Sequence, residues 1–142
     1  MTEFLCREIT ADVIGTYLGV YRSTSAYRSE HTPLRLAREL IAALTKRGRE
    51  TVEIVQKRRR LDPYQNRISE HSAFLVNGDV LVLVFKVGRL NDREREVLEK
   101  LIESTTCVVG LALNFGSRKP DFWRSQKIPA QQSTKRQKGI QP

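Results

Sequence analysis

The sequence predicts an α/β sandwich, a mixed sheet flanked by helices, from three observations. Two stretches with helical apolar spacing precede the first strand-like run. Two apolar runs joined by Asn77-Gly78-Asp79 then read as a hairpin. A third amphipathic helix separates that hairpin from a last buried run, the layout of a helical crossover in a partly parallel sheet. A chain of 142 residues suits one domain, and 39% hydrophobic with 29% charged residues is a globular composition.

The elements follow in chain order. Ile9, Val13, Ile14, Tyr17, Leu18 and Val20 predict a first helix over Ile9 to Tyr21, with Thr10 available as its N-cap. A polar stretch follows, and then Thr32-Pro33, a capping residue before proline at the first helical position. From there Leu36, Leu40, Ala43 and Leu44 form one stripe, closed by Gly48. Thr51 to Gln56 alternates around Val52 and Ile54 as a strand does. In the hairpin, Ser72 to Val76 is followed by Val80 to Val87, and the latter is apolar on both faces, as a central covered strand requires. Asn91 with Glu94 three residues on predicts a capping box and a third helix to about Ser104. Cys107 to Asn114 reads as another buried strand. Beyond Gly116 the chain is poor in aliphatic residues, so residues 1–124 are read as the domain and 125–142 as a basic tail expected to stay disordered.

Net charge is +9 with a pI near 10.0, which implies attraction to polyanions: nucleic acid, an anionic membrane surface or acidic proteins. The consecutive cations Lys57, Arg58, Arg59 and Arg60, joined by Arg67, form the candidate nucleic-acid-binding patch, with Tyr64 near enough to stack on a base. No apolar run approaches a membrane span, and Met1 to Glu8 does not read as a secretory signal, so a cytoplasmic location is expected. Cys6 and Cys107 lack metal-ligand spacing and are expected to be buried thiols. Neither a cofactor motif nor a signal for oligomeric state is present.

Metal-dependent nucleases of this layout hold divalent cations with carboxylates at strand ends, beside a lysine that orients the attacking water. The second hairpin strand ends in Val84-Phe85-Lys86, with the lysine in place and the acid before it missing. From about Ile9 to Gly116 the chain resembles the GxxExxY protein family of the PD-(D/E)xK, restriction-endonuclease-like superfamily. The resemblance rests on Val109-Gly110-Leu111-Ala112-Leu113-Asn114-Phe115-Gly116 and on Val13-Ile14-Gly15 through Val20. It implies a restriction-endonuclease-like fold, with Ala26, Ser29 and Thr32 where the family has its glycine, glutamate and tyrosine. The hairpin aspartate falls on Phe74, the glutamate on Val84, and the glutamine and tyrosine of the third helix near Val97 and Leu101; Lys86 alone is kept.

Phenylalanine and valine cannot ligate magnesium, so catalytic residues and a metal site are not expected, and Lys86 is read as a vestigial, snorkelling lysine without a partner. Glu39, Glu53, Asp62 and Glu70 would rebuild a metal site if one of them reached Lys86, but isolated acids on amphipathic elements are read as a solvated face. Asp79 serves the turn, and His31 and His71 have no ligand spacing. Three functions compete: a silent nuclease-like domain that binds nucleic acid, a scaffold whose basic tail docks on an acidic protein, and a nuclease with relocated acids.

Overall fold

The computed structural model describes residues 2–24, 30–54 and 71–127. Its element order is α1 (Thr2–Thr24), α2 (Pro33–Lys46), β1 (Thr51–Ile54), β2 (His71–Val76), β3 (Val80–Phe85), α3 (Asp92–Glu103), β4 (Val109–Asn114) and β5 (Asp121–Gln126). The five strands form one mixed sheet in sequential order, antiparallel except for β3 beside β4. The connection between these parallel strands is α3, as a crossover requires. Among the described residues no helix is long and apolar enough to cross a membrane.

Helix α1 starts earlier than its capping signal suggested. Its buried stripe begins at Cys6 and continues through Ile9, Val13, Tyr17 and Tyr21, so apolar packing carries the helix past Thr10 toward the N-terminus. Thr10 is therefore an interior residue and caps nothing. The other two helices begin as their sequences indicate. Thr32 accepts a hydrogen bond from Arg35 N with Pro33 at the first position, and Asn91 and Glu94 form a reciprocal capping box.

Alternation along β3 places its side chains in two cores. Val80, Val82 and Val84 pack beneath α1 and α2, while Leu81, Leu83 and Phe85 face α3 with Leu98 and Ile102. The turn between β2 and β3 has positive φ at Asn77 (53°) and Gly78 (69°), the backbone that an Asn-Gly pair tolerates. Asn77 also fixes the start of β1, since its side chain accepts from Glu50 N at 2.8 Å.

Strand β5 was not expected. Asp121-Phe122-Trp123-Arg124-Ser125-Gln126 has little aliphatic content, and its side chains alternate between half-buried and exposed. What holds it is the ladder with β4, in which Ala112 pairs with Trp123 and Leu111 with Arg124, together with a cation–π contact of Arg95 over Trp123 at 4.2 Å. Strand β5 runs on across residues 124 and 125 to Gln126 and is followed by Lys127. There Lys127 N donates to Val108 O at 2.6 Å and its ammonium to Thr105 O at 3.0 Å.

Candidate functional site

The nuclease positions carried by the resemblance fall on the α1/α2 side of the sheet. Phe74 on β2 pairs with Val82 on β3, and Phe74 and Val84 both join the core beneath the helices with 0% exposure. Both side chains are fully buried. Neither offers an oxygen, while their cross-strand partners are polar and reach solvent, Glu53 beside Phe74 and Ser72 beside Val84.

Lys86 follows β3 and is half-buried. Its ammonium donates to the His31 carbonyl at 3.0 Å, tying the strand end to the entry of α2. The expectation of a lysine without a partner is corrected by this bond. His31 adjoins α2, whereas His71 pairs with Phe85 on the α3 face and packs against its ring at 5.5 Å, so the two histidines stand on opposite sides of the sheet.

Of the remaining acids, the two among the described residues, Glu39 and Glu53, do not rebuild a site. Glu39 is exposed on α2, and Glu53 faces Arg38 at 3.5 Å in a solvent-exposed pair. Such a pair contributes at most about 1 kcal/mol. Asp79 closes its turn with a backbone bond to Val76 O. Among the described residues no group of three or more His, Cys, Asp or Glu could hold a metal ion. Val97 and Leu101 pack against the α3-side core, and Thr32 serves as the α2 cap. Ala26, Ser29, Asp62, Tyr64, Glu70 and the basic patch Lys57, Arg58, Arg59, Arg60 and Arg67 lie outside the described residues.

The best-matching motif, Asn114-Phe115-Gly116, has a structural task. Asn114 Oδ1 accepts from Val87 N at 2.9 Å and Gly116 N at 3.0 Å, while Nδ2 donates to Val87 O at 2.9 Å and Asp121 Oδ2 at 3.1 Å. An amide side chain has two donor hydrogens and two acceptor lone pairs, and here all four are used internally. No capacity remains for a substrate. Phe115 N extends the parallel pairing to Phe85 O, and its ring packs edge-on to Tyr17 at 5.0 Å. Gly116 passes so near the end of β3 that a Cβ there would lie 2.4 Å from Val87 O and 2.5 Å from Val87 N.

Tyr17 and Asp121 complete this lock and carried no sequence signal. Tyr17 Oη donates to Asn114 O at 2.6 Å and accepts from Asp121 N at 2.9 Å, and Asp121 Oδ2 accepts from Leu90 N at 2.9 Å. Tyr21 Oη donates to Ser117 O beside it. Burial raises the Tyr17 hydroxyl to a pKa of about 12, so it stays a neutral donor. Burial likewise raises both thiols, Cys6 and Cys107, and disfavours the nucleophilic thiolate.

Comparison of the chain with protein-family models, curated proteins and solved structures finds no match.

Proposed function

We propose that this chain is a nuclease-like domain without nuclease chemistry, which binds nucleic acid through its positive charge. The observation that carries the non-catalytic half is the burial of Phe74 and Val84 at 0% exposure where the resemblance requires metal-binding acids. A hard cation needs oxygen donors, and these two side chains provide none. The order of helix, three-stranded antiparallel meander, crossover helix and parallel strand supports the restriction-endonuclease-like reading of the fold. The binding half rests on a net charge of +9, since phosphate neutralisation by cations releases counterions from nucleic acid.

Anisotropy titrations of labelled duplex DNA, single-stranded DNA and RNA at several salt concentrations test the binding. Affinity should fall linearly on a log–log plot against salt. Absence of binding to all three at low salt overturns the proposal and leaves docking on an acidic protein as the use of the charge. Incubation with magnesium or manganese should leave the oligonucleotides intact, and cleavage lost on Lys86→Ala would overturn the non-catalytic half.

A further inference from the structure

Helix α1 and the edge strand β5 enclose a cleft of about 360 Å³ lined by Arg7, Thr10, Ala11, Ile14, Arg124 and Gln126. The α1 residues stand at i, i+3, i+4 and i+7, one stripe of the helix. Arg124 and Gln126 come from the β5 face that also carries Phe122, since these three pair with Leu111, Val109 and Leu113 of the α1-side core. Two exposed guanidinium groups thus flank an apolar wall made by Ala11 and Ile14. The α1 acid nearest in sequence to Ala11, Asp12, is engaged elsewhere, by Arg47 at 2.6 Å and Arg49 at 2.8 Å.

Two further observations indicate what the cleft receives. Phe122 packs edge-on to Tyr17 at 5.9 Å yet stays 38% exposed, which leaves part of its ring open two residues from Arg124 on the same strand face, or about 7 Å along the strand. Thr10 is 6% exposed, and its hydroxyl makes no hydrogen bond, whereas Thr16 and Thr24 of the same helix each donate to the carbonyl four residues before. A rotation about χ1 exchanges its hydroxyl and methyl positions, so an acceptor in the cleft would satisfy a donor that is otherwise buried at a cost.

We propose that this cleft and Phe122 form a binding site for single-stranded nucleic acid, with a backbone phosphate between Arg7 and Arg124 and a base stacked on Phe122. The site rests on the nucleic-acid reading above and gives it a location. Arginine forks match phosphate oxygens, and an exposed ring offers a base a face without selecting its sequence. Gln126 supplies an amide beside the phosphate; its Oε1 accepts from Arg124 Nη1 at 3.3 Å, which aligns the guanidinium along the strand. A single strand fits better than a duplex, because stacked and paired bases cannot reach the ring.

The test is anisotropy titration of a labelled twelve-residue thymidine oligonucleotide, alone and annealed to its complement, across a salt series. Arg7→Ala/Arg124→Ala should weaken single-strand binding about tenfold or more and reduce the salt slope by about 0.7 for each phosphate no longer neutralised. Lys46→Ala/Lys100→Ala removes the same charge from exposed positions outside the cleft and should have a clearly smaller effect. Phe122→Leu should cost roughly fivefold on the single strand with the slope unchanged, and little on the duplex. Amide chemical shifts of Thr10 and Gln126 in the wild-type protein should move on titration, a readout that needs no variant. If wild type binds no oligonucleotide, the general reading falls and this site with it. If wild type binds while the cleft and control pairs weaken it equally, or while those amides stay still, the general reading stands and the site is overturned.

Discussion

At the residue scale, Asn114-Phe115-Gly116, part of the segment that carries the resemblance, is a piece of scaffolding. Asn114 spends every donor and acceptor on Val87 after β3, on Gly116 N and on Asp121, and Gly116 allows the loop after β3 to pass at backbone contact. Gly116→Ala should therefore destabilise the protein by about 1–3 kcal/mol, since the obstacle is backbone rather than a yielding side chain. A urea midpoint equal to wild type would mean that this close approach does not exist. Tyr17 gives a pH-dependent test of the same lock. Its folded pKa of about 12 lies above the ordinary value of about 10, so folding favours the protonated hydroxyl. The stabilisation is complete below pH 10 and is lost as pH rises through 12, by an amount on the order of 2–3 kcal/mol. Tyr17→Phe lacks this pH-dependent stabilisation and also leaves Asp121 N without its acceptor. The stability difference between wild type and variant should thus shrink from pH 9 to pH 12, and a difference constant with pH would sink the assignment. The contact between Tyr17 and Asp121 was not legible in the sequence, because the two are far apart in the chain, Tyr17 resembles any member of a helical stripe and Asp121 lies where the composition turns polar.

At the element scale, legibility followed the source of each element's stability. Helices α2 and α3 announce themselves because local chemistry fixes their starts: Thr32-Pro33 in one and the Asn91/Glu94 box in the other. The β2–β3 hairpin is equally local, with Asn77-Gly78 at its turn. Strand β5 is held by β4, a partner already formed, and its own composition reads as a polar tail. The start of α1 departs from its local signal for the opposite reason: Thr10 is a capping residue type, but the buried stripe from Cys6 through Tyr17 outweighs that local preference. These assignments make truncations informative. A chain ending at Arg124 loses Ser125 and Gln126, paired with Gly110 and Val109, and the Lys127 bonds to Val108 and Thr105. At about 0.5–1.5 kcal/mol for each missing hydrogen bond, it should melt several degrees lower, whereas a chain ending at Lys127 should melt as the full protein does. Equal melting of the two would show that β5 contributes nothing past Arg124.

At the scale of the whole molecule, net charge is spread unevenly along the chain. Nine of the 25 Lys and Arg residues but only two of the 16 Asp and Glu residues lie in residues 1, 25–29, 55–70 and 128–142, which places seven of the nine net positive charges there. The described framework is close to neutral. The resemblance indicated where chemistry should sit and the composition indicated a polyanion, yet the sequence could not join them, because the cations cluster outside the elements whose periodicity is readable. Replacing Lys57, Arg58, Arg59 and Arg60 with alanine and ending the chain at Lys127 removes four and three cations and lowers the net charge from +9 to +2. Duplex binding, which depends on the phosphate field, should then become unmeasurable at about 0.1 M salt, with the slope reduced by about 0.9 for each phosphate no longer neutralised. Removing the block alone should reduce the slope by the share of at most about four phosphates, and removing the tail alone by that of at most about three. Single-strand binding should survive in weakened form, still sensitive to Arg7 and Arg124, because arginine forks and a stacking ring act at short range where a diffuse field does not. If the stripped variant binds duplex as tightly as wild type, net charge is not what attracts nucleic acid to this protein, and the interface must lie on the near-neutral framework itself.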